Sequence, residues 1–229
     1  MIKAVIFDLD GTLLDRDTSL KHFIEYQYER LYKWLGHIPK EQYTTRFIEL
    51  DSRGYVWKDK VYQQLVEEFH IVQIDWEFLL EDYKAEFKHH CVPFPNLHIM
   101  LEELGKNNFA LGIITNGFGQ FQMDNIEALD IKHYFDTILV SETEGVKKPN
   151  REIFERALKQ LHVSPNESVF VGDHPKNDVE ASVHVGMIGV WKKDEQWINF
   201  KPNVVVEDLG ELPILIKSLN NTICCKGKE

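Results

Sequence analysis

Residues 5–14 read VIFDLDGTLL. Val5, Ile6 and Phe7 form an apolar, β-branched and aromatic run without a polar break, the pattern of a strand buried on both faces. The run ends in two aspartates, Asp8 and Asp10, one residue apart and followed at once by Gly11 and Thr12. Positions two apart in a strand face the same way, so both carboxylates converge at its carboxyl end. Like charges in a partly dry place repel, and a proton, a basic side chain or a metal ion must offset the cost.

Similar apolar runs recur at residues 3–7 (KAVIF), 109–115 (FALGIIT), 136–141 (DTILVS), 168–172 (SVFVG), 187–191 (MIGVW) and 203–207 (NVVVE). Between the later ones lie segments of helical period, GQFQMDNIEALDI, REIFERALKQL and NDVEASVHVG. Strand alternating with helix predicts an α/β fold, a Rossmann-like parallel sheet covered on both faces. Such sheets bind ligands beyond the carboxyl ends of their strands, which is where Asp8 lies. Residues 16–92 contain no strand-like run and read as several amphipathic helices broken at GHIPKE, DSRGYVWKD and VQIDWE. The expected organisation is therefore an α/β core built from residues 1–15 and 93–229, with residues 16–92 as an inserted helical domain. More than half of the aromatic residues fall in that insert, as a small bundle filling its core with bulky side chains requires. The run KHHCVPF, with His89, His90 and Cys91, stands beside two prolines and reads as a hinge rather than a soft metal site.

The chain of 229 residues is 43% hydrophobic and carries 26 basic against 37 acidic residues, a formal charge of −11. Basic residues come only as short pairs such as Lys147-Lys148, so no basic face for nucleic acid or an anionic membrane is expected. No stretch approaches the roughly 18 apolar residues of a membrane span, and Asp8 and Asp10 interrupt the early run that would otherwise suggest a secretory leader. The three cysteines, Cys91, Cys224 and Cys225, suit neither a disulfide framework nor a zinc site. The expected location is the cytoplasm.

Three further strand ends carry polar residues. After LGII come Thr115, Asn116 and Gly117 at a helix start, where a hydroxyl and backbone N–H groups form an anion site. In GVKKP, Lys148 directly precedes Pro149 and the helix expected from about Asn150. In VFVGDHPKND, an apolar strand ends in Gly172-Asp173, with Asn177-Asp178 one turn on. These ends collect carboxylates from Asp8, Asp10 and Asp173, a hydroxyl from Thr115 and an ammonium from Lys148. Hard oxygen ligands of this kind suit Mg²⁺ completed by a phosphate, and a divalent cation between Asp8 and Asp173 would offset the paired charge. No dinucleotide loop, GxxxxGK[ST] loop or GxSxG elbow is present.

In this order the segments DLDGTL, IITNG, KKP and GDHPKND resemble the four motifs of the haloacid dehalogenase-like hydrolase superfamily, over residues 1–15 and 93–210. The insert lies where that family's helical, C1-type cap lies. The resemblance implies that Asp8 is the nucleophile, forming an aspartyl-phosphate, and Asp10 the acid–base, its backbone carbonyl contributing to the metal. It implies that Thr115 and the backbone N–H of Asn116 hold phosphoryl oxygens, that Lys148 neutralises charge on Asp8, and that Asp173 is the second carboxylate on Mg²⁺. Asp178 is expected to orient ligands or a metal-bound water from behind. The dehalogenases themselves lack the second aspartate, because a departing halide needs no proton, so Asp10 argues for phosphate esters. The expected activity is Mg²⁺-dependent hydrolysis of a small phosphorylated metabolite. A phosphomutase using the same intermediate and a catalytically idle binding module are the alternatives, and loss of Asp8, Asp10, Lys148 or Asp173 would have signalled the idle module.

Overall fold

The computed structural model describes residues 1–226, with side chains as far as residue 221, so the Cys224 and Cys225 side chains lie outside the described residues. The chain forms two compact units, one of Met1–Asp15 with the residues from Pro93 onward, the other of Arg16–Val92. No helix among the described residues is long and apolar enough to cross a membrane.

The first unit is built on a parallel sheet of six strands: β1 (Ala4–Phe7), β2 (Ala110–Thr115), β3 (Thr137–Val140), β4 (Ser168–Gly172), β5 (Ile188–Lys192) and β6 (Val205–Val206). The order across the sheet is β3-β2-β1-β4-β5-β6. β1 is thus central, with Ile6 opposite Gly112 on one side and Phe170 on the other. All four of its residues are fully buried, which explains the unbroken apolar run. The chain steps from β1 outward in both directions, so the switch in strand order, where doubly wound sheets bind ligands, falls at the end of β1. The run at 203–207 pairs only over Val205–Val206, and Val205 is 46% exposed, as suits a short strand at an edge.

The second unit, by contrast, is helical: α1 (Arg16–Arg30), α2 (Tyr32–Leu35), α3 (Lys40–Asp51), α4 (Lys58–Glu68) and α5 (Trp76–Glu86). Its aromatic residues are core: Phe23, Tyr43, Phe47 and Tyr62 are buried, and Phe47 meets Tyr62 edge-on at 5.2 Å between ring centres. The buried Gln27 ties the bundle together, its Oε1 accepting from Tyr62 Oη at 2.9 Å and its Nε2 donating to the Leu79 carbonyl at 3.2 Å. In DSRGYVWKD, Ser52, Arg53 and Gly54 all adopt left-handed backbone, ending α3 sharply.

In the α/β unit the remaining helices are α6 (Leu97–Lys106), α7 (Gly119–Ala128), α8 (Ser141–Glu144), α9 (Arg151–Gln160), α10 (Ala181–Val185) and α11 (Leu212–Lys226). Ile153, Phe154, Ala157 and Leu158 form the apolar stripe of α9 and pack with Ile6, Ile114, Leu139 and Phe170 of the sheet. Each of these side chains larger than Ala157 contributes about 1.5–3 kcal/mol on burial. At the seam where the chain leaves and re-enters this unit, Phe94 N donates to Leu13 O at 3.0 Å and Leu14 pairs antiparallel with Pro93.

Asp51, 1% exposed at the end of α3, carries the polar linchpin of the helical unit. It accepts from Arg16 Nη2 at 2.8 and 3.0 Å, from Gly54 N at 2.9 Å and from Lys58 Nζ. Removing it takes the shared carboxylate from two cations, and breaking a buried pair costs about 3–5 kcal/mol. Asp51→Ala should therefore lower stability by about 3 kcal/mol or more in urea denaturation. A loss below about 1 kcal/mol would show that the ion pairs are solvated rather than structural.

Candidate active site

Beyond Phe7 the chain stays in register for one more residue, Asp8 N donating to Val171 O of β4 at 2.9 Å. It then winds around a single carbonyl: Thr12, Leu13 and Leu14 all donate to Leu9 O, at 3.2, 2.9 and 2.9 Å. Asp8 is thereby fixed at the carboxyl end of the central strand, beside the end of β4, from which Asp173 follows.

Lys148, 3% exposed, reaches this point from the loop after α8. Its Nζ lies 2.7 Å from Asp8 Oδ1 and 2.7 Å from Asp178 Oδ1. The backbone of Lys148 is held by the Asn116 side chain in a reciprocal pair, Lys148 N to Oδ1 at 2.9 Å and Nδ2 to Lys148 O at 3.0 Å. The other oxygen of Asp178 accepts from His174 N at 3.0 Å. Where the sequence predicts a plain helix over NDVEASVHVG, the chain first forms a wider π-turn, Pro175–Glu180, and only then α10. The turn starts from His174, whose Nδ1 accepts from Lys176 N and Asn177 N. It brings Asp178 hard against Gly172, where an added Cβ would stand 2.4 Å from that of Asp178.

Carboxylate oxygens of Asp8, Asp173 and Asp178 all lie within 4.8 Å of one another, the metal-capable group found among the described residues. Trp191 Nε1 donates to the Asp173 carbonyl at 2.7 Å and holds its backbone. Burial pushes the Asp8 carboxyl up to about 7, against the pull of Lys148 and helped by Asp178. Burial also raises Asp173 well above the carboxylate range, with Asp178 and Asp8 adding to it. For Lys148 burial acts downward, but the two carboxylates it bridges outweigh it and hold the ammonium above its ordinary value. One ammonium thus faces three carboxylates in a mostly buried space. The all-oxygen donor set and the excess negative charge fit a hard divalent cation such as Mg²⁺.

The Asp10 carboxylate has a different hydrogen-bond partner. Its Oδ2 accepts from Gln122 Nε2 at 2.6 Å, and the same nitrogen lies 2.7 Å from Thr115 Oγ1. The sequence-predicted residues therefore gather in two sets, Asp8 with Lys148, Asp173 and Asp178, and Asp10 with Thr115 through Gln122. Asn116 joins the first set through its side chain. Part of the helix start expected to offer N–H groups to an anion is already engaged, Gly117 N by Ser141 Oγ at 3.0 Å and Gly119 N by Glu142 Oε2 at 2.7 Å. Gln122 is the residue the sequence analysis passed over. Its signal is a polar side chain in the stripe of α7 shared with Asn125 and Ile126, all buried.

A family model described as haloacid dehalogenase-like hydrolase matches residues 5–191. The chain is 30% identical over 220 residues to a glyceraldehyde 3-phosphate phosphatase of Methanopyrus kandleri, covering 88% of each protein. It is 26% identical over 220 residues to a phosphoserine phosphatase of Thermus thermophilus, covering 83% of this chain and 88% of the relative. Among solved structures, an HAD phosphatase from Thermococcus onnurineus matches with a TM-score of 0.66 at 27% identity, over 94% of this chain and 98% of that one.

Two outcomes follow from this geometry. Gly172→Ala should push Asp178 out of place and destabilise the fold by about 1–3 kcal/mol, as overpacking does; an unchanged melting temperature would show that the turn can yield. The second concerns Asp8, which keeps its proton to about 7 in the folded chain but loses it near 3.8 when unperturbed. Between those values the folded state binds more protons, so this group's contribution to stability falls as pH rises through the window. In chelator-treated protein, Asp8→Asn should melt higher than wild type at pH 8, by about 2–4 °C for each kcal/mol relieved, and nearly equal it at about pH 4. A variant no more stable than wild type at pH 8 would rule out burial as the dominant influence on Asp8.

Proposed function

The chain belongs to the haloacid dehalogenase-like hydrolase family, and from that premise we propose that it is a Mg²⁺-dependent hydrolase of small-molecule phosphate monoesters with residues 16–92 as its helical cap. The observation that carries the reading is the Asp8 carboxylate bound by the buried Lys148, with a second carboxylate, Asp10, two residues on. An ester oxygen leaves as a poor anion and needs a proton, which Asp10 is there to give. The relatives named as phosphatases of glyceraldehyde 3-phosphate and phosphoserine support a small phosphorylated metabolite as substrate.

In this reading the oxygen of Asp8 not held by Lys148 attacks phosphorus, and the bond to the ester oxygen breaks. Asp10 transfers its proton to that oxygen, so the alcohol departs neutral and an aspartyl-phosphate remains on Asp8. Asp10, now ionised, takes a proton from water as the water oxygen attacks the same phosphorus, which releases phosphate and restores Asp8. Lys148 offsets charge on Asp8 and the transferring group, while Thr115 Oγ1 and Asn116 N–H bind phosphoryl oxygens. Asp178 positions Lys148 through the 2.7 Å ion pair. Bound by Asp8, Asp173 and the Asp10 carbonyl, Mg²⁺ would neutralise the phosphoryl group, the main electrostatic need of phosphoryl transfer.

Phosphate release from p-nitrophenyl phosphate and from a panel of sugar phosphates, nucleotides, phosphoglycolate and cofactor phosphates tests the proposal. Wild type should turn over with Mg²⁺ and stop with EDTA. Asp8→Asn should lose about 10⁴-fold or more while staying folded. Asp10→Asn should lose about 10²–10⁴-fold, most with alkyl esters. Turnover that survives EDTA, or a folded Asp8→Asn protein of comparable rate, would overturn the assignment.

A further inference from the structure

Gln122 is 2% exposed, and a buried amide is costly unless its polar atoms are paired. Its Nε2 lies 2.6 Å from Asp10 Oδ2 and 2.7 Å from Thr115 Oγ1, with Asn116 O more distant at 3.4 Å. Its Oε1 accepts from Asn125 Nδ2 at 3.2 Å. The pairing fixes the amide: turned over, Oε1 would face a carboxylate oxygen and the two amide nitrogens would meet donor to donor. Room for the side chain comes from Gly117, where a Cβ would stand 2.9 Å from Gln122 Cγ and 3.0 Å from Cδ.

We propose that Gln122 is a positioning residue that sets the acid–base carboxylate and the phosphate-binding hydroxyl together, one amide hydrogen holding Asp10 and the other Thr115. The inference rests on the phosphatase reading above. An amide nitrogen has two hydrogens and no acceptor site, so both bonds run outward from Gln122. Thr115 Oγ1 accepts one of them, and its own hydrogen must then point to another acceptor. The threonine is thereby oriented as a donor, which an anionic phosphoryl oxygen requires. On the other side, the 2.6 Å bond anchors Oδ2 of Asp10 and leaves Oδ1 for proton transfer. The chain from Asn125 through Gln122 thus imposes one direction on both groups, and misplacement of about 1 Å costs up to about 10²-fold in such reactions.

The test uses Gln122→Met, which keeps the length and removes both donors, with p-nitrophenyl phosphate, β-glycerol phosphate and inorganic phosphate as probes. The variant should lose about 10-fold in kcat on the aryl ester, whose leaving group needs little protonation, and about 100-fold on the alkyl ester. Its Kd for inorganic phosphate, measured by calorimetry with Mg²⁺ present, should rise about fivefold as the Thr115 hydroxyl loses its direction. Equal losses on both esters with unchanged phosphate affinity are what a merely structural glutamine gives, and would overturn the proposal. If Gln122→Met does not fold, Asn125→Ala removes the donor to Oε1 and leaves the Asp10 and Thr115 side chains themselves unaltered. It should show the same selective pattern at about three- to tenfold, and a uniform loss there is equally fatal. Wild type that releases no phosphate from either ester defeats the phosphatase reading and this inference with it. Active wild type with a nonselective variant defeats the inference alone.

Discussion

One buried ammonium organises the carboxyl-end face of the sheet. Lys148 lies at 2.7 Å from carboxylates that follow two different strands, Asp8 after β1 and Asp178 after β4. Without it those carboxylates would meet in a space that water hardly enters, where an uncompensated charge costs several kcal/mol. Much of the local architecture serves to bring the lysine there: Asn116 grips its backbone, and the π-turn with Gly172 lets Asp178 approach. The compensation is incomplete, because Asp173 adds a third carboxylate and burial keeps Asp8 and Asp173 reluctant to ionise. The folded chain therefore holds an electrostatic deficit that a cation or a proton relieves, a common signature of sites that bind and react.

The sheet was legible because its strands are buried on both faces and read as unbroken apolar runs. All six runs pair, and β1, with every residue buried, takes a central place in the order. Legibility ended where a strand or helix is shaped by its neighbours. The last run shrinks to Val205–Val206 because the sheet stops there, and no local pattern in NVVVE announces an edge. The π-turn at Pro175–Glu180 likewise arises from the approach of Asp178 to Gly172 and from the His174 cap, contacts that helical period does not encode.

At the site, carboxylates at strand ends stood out because charge is rare beside apolar runs, whereas Lys148 comes from the loop after α8. Lys148 Nζ lies 2.7 Å from Asp8 and Asp178, and an Asp173 oxygen lies within 4.8 Å of theirs. What the sequence did not reveal is the neutral polar layer behind them. Gln122 and Asn125 sit in the stripe of α7 that the period assigns to the core, and a polar residue there reads only as an imperfect helix. Asn116 was read for its backbone N–H, yet its side chain is committed to Lys148, and the Gly117 and Gly119 amides are committed to Ser141 and Glu142. Pairings between loops this far apart in the chain depend on how the sheet brings them together, so residue type alone cannot announce them.

The seam at Leu13–Leu14 and Pro93–Phe94 bears on how such a chain diversifies. The α/β unit fastens its outgoing and returning segments side by side with its own backbone bonds, Phe94 N to Leu13 O and Leu14 against Pro93. A segment inserted between fastened ends adds a closure entropy that grows only with the logarithm of its length, about 0.6 kcal/mol per doubling. The α/β unit thus tolerates inserts of very different size and sequence at little thermodynamic cost. Mutation and recombination can remodel or exchange residues 16–92 while the backbone bonds of the fastened ends, and the strand ends next to them, stay as they are.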